Sequence, residues 1–434
     1  MLFLCLLVII SVVRTSPAKQ PTDPTTGSTK VSLFDTGGFP VVWNMPTRRC
    51  HHVYGVHLPL ENYGITHNPK AHFLGPEISL FYQQRLGLYP YLERSGEPIN
   101  GGIPQLADLK GHLTLTEDQL EDGLKDDFTG LAVLDWEAWQ PLWTWDFGEK
   151  SAYRNMSEAL VRGNQPELMP WEVTEVAKRE FEEASRAFML ETLRLAMDLR
   201  PAGYWGYYGY PACHNINVDP SSGKYTGQCH RGTVELNDQL AWLWRQSSAL
   251  YPSIYVPERV AQRGQTQLMV RHRILEAIRV ATQYSEVEEG QDPTLVMPYA
   301  RIAFTHTLHF LNKTYLERTL GESAALGVDG MIFWGERDFA KSKHQCVKLK
   351  GYIENVLGAY VVQLREGVLL CGKVVCGGHG RCIRRRLHDD HMIPLGNEKP
   401  DPAQLRETFR CLCQSGWTGQ ACEKKHEDDT PVAK

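Results

Sequence analysis

Asp135 and Glu137 stand two residues apart at the end of an apolar run, Leu131-Ala-Val-Leu-Asp135-Trp136-Glu137-Ala-Trp139-Gln140. In an extended chain such residues project to the same side, with Cα atoms about 6.6 Å apart. Two carboxyls so placed can share one proton, because the second must ionise against the charge of the first. The raised pKa leaves a carboxylic acid still protonated near neutral pH, as a general acid must be. Same-side acids do not fit the ordinary retaining glycosidase, whose two carboxyls flank the bond about 5–5.5 Å apart. They fit substrate-assisted cleavage, in which the 2-acetamido oxygen of a sugar is the nucleophile. The plain alternative is an acidic pair that caps the next helix, and this segment alone does not choose. Trp136, Trp139, Trp143 and Trp145 surround the pair; such rings suit stacking on sugar faces, although most Trp side chains serve a core.

Positioning the pair requires a strand that ends where the acids begin. Strand-like runs occur at residues 41–44, 78–82, 131–135, 204–208, 252–255, 295–299 and 331–334. Helical stretches lie between them. The clearest is 173–199, with Val173, Ala177, Phe181, Ala184 and Phe188 on one stripe and Pro201 with Gly203 beyond its end. A second runs over 269–281. Strand and helix alternate about seven times, which predicts α/β architecture, either a parallel sheet or a (β/α) barrel. In a barrel the C-terminal strand ends carry the active site, which is where the acids fall. With 434 residues, 42% hydrophobic and 22% charged, the chain is neither disordered nor fibrous. A net charge of -5 argues against a nucleic-acid binder.

The apolar run at 2–13 fits a signal peptide over residues 1–16 and is too short for a membrane span; a buried strand or an anchor is the alternative. No later run reaches the length of a transmembrane segment. Without Cys5, ten of the 11 cysteines remain, an even number that reads as five disulfides in an oxidising compartment. Cys213 and Cys229 most simply close a short loop, leaving Cys50 to Cys346. Asn155-Met-Ser and Asn312-Lys-Thr are glycosylation acceptors there. The other six cysteines crowd between 371 and 422, ending in Cys413-Gln-Ser-Gly416-Trp417-Thr-Gly419-Gln-Ala-Cys422. This resembles an EGF-like module, which implies Cys371–Cys382, Cys376–Cys411 and Cys413–Cys422. Residues 383–410 are then an inserted loop, with Arg384-Arg-Arg386 solvated, and 362–370 a linker. A zinc site is the rival for clustered cysteines.

Several segments together resemble the animal hyaluronidases: Asp135-Trp-Glu137-Ala-Trp, Trp205-Gly-Tyr-Tyr208-Gly-Tyr-Pro-Ala-Cys213, Tyr225-Thr-Gly-Gln-Cys229, Asn237-Asp-Gln-Leu-Ala-Trp-Leu-Trp244, Ala249-Leu-Tyr-Pro-Ser-Ile-Tyr255 and Gly321-Glu-Ser-Ala-Ala-Leu-Gly327. The similarity runs from about Val41 to Glu423. It implies a distorted (β/α) barrel over 31–362, an EGF-like domain over 367–425, and endo-β-N-acetylhexosaminidase action on hyaluronan, often also chondroitin, with retention. It implies Glu137 as proton donor and Asp135 as the group that orients the acetamide. Tyr208 and Tyr255 would position the N-acetyl group, Trp334 would wall its pocket, and Tyr82 and Tyr299 would line the groove. Each of these rings, taken alone, reads more simply as core. Arg273 matches a basic residue near the groove; its alternative is a solvated helix face. No metal or cofactor is implied. The partner is hyaluronan or a related glycosaminoglycan, with a protein partner for the EGF-like module left unnamed, and the location secreted or lysosomal.

Three departures stand out. Gln140 replaces an Arg that could attract a uronate carboxylate. Ala212 replaces a frequent Asp, and an acid is missing near Thr305-His306. A glycan-binding protein with weak or absent turnover is therefore the rival function. Sixteen His in a chain of charge -5 predict tighter polyanion binding as pH falls through about 6.5.

Overall fold

The computed structural model describes residues 38–218, 223–285, 293–414 and 416–425. The segment read as a signal peptide, Cys5 included, lies outside the described residues.

Strand Leu131–Asp135 pairs in parallel with Ile78–Tyr82 on one side and Tyr204–Tyr207 on the other. Tyr208 bridges to Tyr251, and Ala249–Leu250 pairs with Leu295–Val296. Ser253 bridges to Tyr299, and Tyr299–Ala300 pairs with Met331–Phe333. That strand pairs with Val41–Trp43, which pairs with Thr66–His67. All of these pairings are parallel. Asn68, just past the last of these strands, then reaches the first: its Nδ2 donates to the Ile78 carbonyl (2.6 Å) and its Oδ1 accepts from the Glu77 and Ile78 amides (3.1 and 3.3 Å). Asn68 is 1% exposed. Replacing it with Ala strips several buried main-chain groups of partners, so Asn68→Ala is expected to cost about 3 kcal/mol in guanidinium unfolding. A loss below roughly 1 kcal/mol would show that this contact is dispensable.

Parallel strands buried on both faces read as continuous apolar runs, and the two faces separate by parity. Leu131 and Val133 join Val42, Leu80, Tyr251, Met297 and Ile332 in one inner cluster. Ala132 and Leu134 face outward onto Phe181, Phe188 and Leu193. These three lie on helix Pro170–Leu199, which has Pro at its first position and is capped by Glu172, whose carboxylate accepts from the Met169 amide (2.8 Å). Its buried stripe is Val173, Ala177, Phe181, Ser185 and Phe188, so Ser185 takes the position expected for Ala184.

Other expectations are corrected. The strand expected at 252–255 begins earlier, at Ala249–Leu250, and continues only through the two bridges. Strand Thr66–His67 and helices Leu109–Gly123 and Ser151–Asn164 were not foreseen. The linker at 362–370 lies within helix Gly358–Val375, where Val361, Leu364, Gly367 and Val368 are buried. The insert is not simply a loop. Ile383 and Arg384 extend strand Gly380–Arg384, antiparallel to Phe409–Cys413, and helix Pro402–Thr408 precedes the return. Arg384 is fully buried and salt-bridged to Glu322 (2.8 Å), while Arg385 and Arg386 are exposed.

Among the described residues five disulfides are present: Cys50–Cys346, Cys213–Cys229, Cys371–Cys382, Cys376–Cys411 and Cys413–Cys422. Three sulfurs, of Cys376, Cys411 and Cys422, lie within 4.8 Å of one another. Each belongs to a disulfide and is not a free thiolate ligand.

Candidate active site

Asp135 carries on the inward parity of Leu131 and Val133, and Trp136 the outward parity of Ala132 and Leu134. Glu137 returns to the Asp135 side, and the two carboxyls hydrogen bond to each other. Asp135 is half-buried, whereas Glu137 stays exposed, as an acid that must touch a substrate has to be. Burial, then the Glu137 charge, pushes Asp135 up to about 8. Burial also raises Glu137, against the opposing pull of the Lys150 ammonium and of the hydrogen bond from Asp135. The pair therefore holds one proton near neutral pH. Neither acid caps a helix. The next helical turn, Trp143–Trp145, is preceded by Leu142 at its cap.

Aromatic side chains from the neighbouring strand ends gather around the pair. Tyr255 stacks on Trp334 with ring centroids 6.0 Å apart and planes 17° apart. The Trp334 indole donates to the Tyr82 hydroxyl (3.0 Å). Tyr208 lies 6.2 Å from Tyr255 and meets Tyr299 edge-on at 5.1 Å. Tyr208, Tyr255, Trp334 and Tyr82 are half-buried and offer open surface. Tyr299 is 1% exposed and sits beneath them, its hydroxyl accepting from Asn44 (3.1 Å). Burial pushes the Tyr82 phenol up to about 12, and the charges of Asp135 and Glu137 add to this. Arg301 lies over the Tyr255 and Trp334 rings and is salt-bridged to Glu336 through both nitrogens, so it braces this wall from behind.

Arg273 does not lie on a solvated helix face. It projects from helix Thr266–Tyr284, donates to Asn215 (2.9 Å) and to the Ser253 carbonyl (2.7 Å), and its charge acts on Tyr208. Gln140 accepts from the Tyr210 hydroxyl (2.5 Å), so its carbonyl is committed to a structural bond. Ala212 is held through its backbone by Asn237. Trp136, Trp139, Trp143 and Trp145 are all buried, with Trp139 stacked on Tyr89 at 5.2 Å, so they build the core behind the acids instead of a sugar platform. Parity places Trp136 in the outer cluster, and Trp139, Trp143 and Trp145 pack into the same cluster.

Sequence reasoning missed Asp146, Lys150, Tyr210 and the Arg301–Glu336 brace. Asp146 sits between Trp145 and Phe147 with Lys150 four residues on, and nothing in their spacing sets them apart as partners of the acids. A surface hollow of about 660 Å³ between helices Leu109–Gly123 and Pro170–Leu199 shares no residue with the acid pair.

A parallel α/β scaffold that presents a proton-sharing carboxyl pair inside an aromatic surround is the equipment of a glycosidase. The chain belongs to the hyaluronidase family: the glycoside hydrolase family 56 model, described as hyaluronidase, matches residues 28–426. It is 41% identical to Hyaluronidase-1 of Homo sapiens over 415 residues, covering 91% of this chain and 94% of that one. Against Hyaluronidase-3 of Sus scrofa the identity is 40%, with 91% and 92% covered. Among solved structures, bee venom hyaluronidase in complex with hyaluronic acid tetramer superposes with a TM-score of 0.68 at 34% identity, covering 75% of this chain and 99% of that chain.

Proposed function

We propose that this protein cleaves the β-1,4 bonds between N-acetylhexosamine and glucuronate in hyaluronan as a retaining endo-hydrolase. The observation that carries the reading is the hydrogen-bonded carboxyl pair of Asp135 and Glu137 at a strand end, within the surround of Tyr82, Tyr208, Tyr255 and Trp334. In the free pair Asp135 donates to Glu137. When a sugar's acetamide N–H donates to Asp135, that hydrogen bond favours its ionised form and moves the proton to Glu137. Glu137 then protonates the glycosidic oxygen while the acetamide oxygen attacks the anomeric carbon. The Glu137 carboxylate next takes a proton from the water that opens the cyclic intermediate, and two inversions give retention. Tyr208 and Tyr255 orient the N-acetyl group, Trp334 walls its pocket, and Tyr82 contacts the chain along the groove. Tyr299 and Arg273 support Tyr208 from below and behind.

The series of parallel strands closed by Asn68 is read as a distorted (β/α) barrel over 31–362. The C-terminal hairpins with three disulfides are read as an EGF-like domain over 367–425, and the intervening helix as shared between them. Among the described residues no helix is long and apolar enough to cross a membrane. Asn155 and Asn312 are exposed and available for glycans, which fits a secreted or lysosomal protein. Asn312 caps helix Lys313–Leu316 through Oδ1, leaving its nitrogen free to carry a sugar. The cationic gain on acidification is smaller than sixteen histidines suggest. Burial holds His112 down at about 4 and also lowers His214 and His272.

The test is hyaluronan chain length over time from acidic to alkaline pH. Activity requires one proton on the pair, and the group with the raised value loses it last. The rate is therefore expected to fall as pH rises through about 8, where Asp135 releases the proton. A rate still climbing above that value would show that the pair is not the acid. Binding of hyaluronan without shortening at any pH would leave the glycan-binding reading.

A further inference from the structure

Gln140 cannot supply the cation that an Arg at that position would bring to a uronate, and the cationic charge that acts on Glu137 comes from Lys150, ten residues further on. Lys150 is half-buried, and its charge acts on both Glu137 and Asp146. Asp146 is 0% exposed. One of its oxygens accepts from the Gln140 amide (2.8 Å), and the other has no hydrogen-bond partner. Asp146 thus ties down the loop that leaves Glu137 while keeping an unpaired oxygen in the interior.

We propose that Asp146 is a positioning residue whose ionisation sets how much of the Lys150 charge is available to an anionic sugar chain beside Glu137, so that substrate affinity weakens as pH rises. This rests on the hydrolase reading above. When Asp146 is neutral, the Lys150 ammonium faces only the single negative charge of the acid pair and can still attract the uronate carboxylate. When Asp146 ionises, it adds a second negative charge facing the same ammonium, and an anionic chain is held less well.

Burial pushes Asp146 up to about 7, with the Gln140 amide, Lys150 and Arg154 pulling the other way. The other titratable groups whose fields meet it are Tyr89, Tyr153 and Tyr210, all raised by burial and therefore neutral across this range. Lys150 is faced by Asp146, Glu137 and His214, whose own value burial lowers. Asp146 is thus the group facing Lys150 that changes charge between mildly acidic and mildly alkaline pH without belonging to the acid pair.

The experiment measures KM and kcat for hyaluronan from about pH 6 to about pH 8, at fixed salt, in the native protein, Asp146→Asn and Lys150→Gln. Asn keeps an oxygen to accept from the Gln140 amide, so the loop stays tied. Native KM is expected to rise roughly 3- to 5-fold over that range, the size of one partly screened charge contact. Asp146→Asn should lose this rise, and Lys150→Gln should show a raised KM with no such dependence. The kcat profile, governed by the acid pair, should keep its shape in Asp146→Asn. A KM rise retained in Asp146→Asn, or a native KM profile in Lys150→Gln, overturns the proposal. The same comparison is made by binding of hyaluronan fragments to Glu137→Gln and Glu137→Gln/Asp146→Asn. If the native protein does not hydrolyse hyaluronan, the hydrolase reading fails. The pH dependence of binding then decides on Asp146 separately: affinity that falls with pH only where Asp146 is present upholds its role, and identical curves refute it.

Discussion

Glu137→Gln is expected to lower kcat for hyaluronan by more than about 10³-fold, at the upper part of the range for loss of a general acid, because the same group serves both steps. Gln keeps the shape of Glu137 and can still bond Asp135, but it cannot hand a proton to the glycosidic oxygen or take one from water. Affinity for hyaluronan fragments should stay within a few-fold, since the aromatic wall of Tyr255 and Trp334 and the Tyr82 hydroxyl are untouched. Reducing-end release and fragment binding, measured on the same preparation, separate the two quantities. If Glu137→Gln retained a tenth of native kcat, Glu137 would not be the acid.

The second large effect is on stability. Glu322 is 0% exposed and bridges two arginines that are themselves buried. It accepts from Arg271 Nε (2.6 Å) and from Arg384 Nη1 and Nη2 (3.0 and 2.8 Å). Arg271 rises from helix Thr266–Tyr284, while Arg384 ends the strand Gly380–Arg384. Glu322→Gln would leave the buried Arg384 guanidinium without a carboxylate and Arg271 with Asp390 alone (2.7 Å), at a cost of about 3–5 kcal/mol. Guanidinium unfolding followed by circular dichroism should show it. Glu258→Gln, at the exposed pair with His309 (3.3 Å), is the control and should change stability by less than about 1 kcal/mol. Equal midpoints for the two variants would mean that the buried bridge holds nothing together.

How legible was all this in the residues? The acids were found because they follow four apolar residues, and parity turned a spacing of two into a shared side. The strands at 78–82, 131–135 and 204–208 were readable for the same reason: buried parallel strands are locally apolar. The fifth strand was misplaced because it survives as two residues and two bridges, too little to leave a pattern. Helix Gly358–Val375 was missed although Val361, Leu364, Val368, Cys371 and Val375 recur on one buried face, because Leu369, an apolar residue on the open face, and the glycines at 358, 367 and 372 blur that stripe in the sequence. Arg384 was misread because a run of three arginines carries no mark of the single carboxylate, 62 residues away, that buries the first of them.

The sequence by itself determined the chemistry available: two same-side acids, the rings that could surround them, and ten cysteines for an oxidising compartment. These depend on neighbours in the chain and on periodicities of two and 3.6 residues, which are local. Tertiary structure alone decided which rings are groove and which are core, why Gln140 is spent on Tyr210, and that the Lys150 charge acts on both Glu137 and Asp146. Burial is a property of the packed chain, and burial lifts Asp135 to about 8 and Asp146 to about 7. A carboxyl's pKa is set by what surrounds it in space, so the same residue types could be named from the sequence but not assigned their protons.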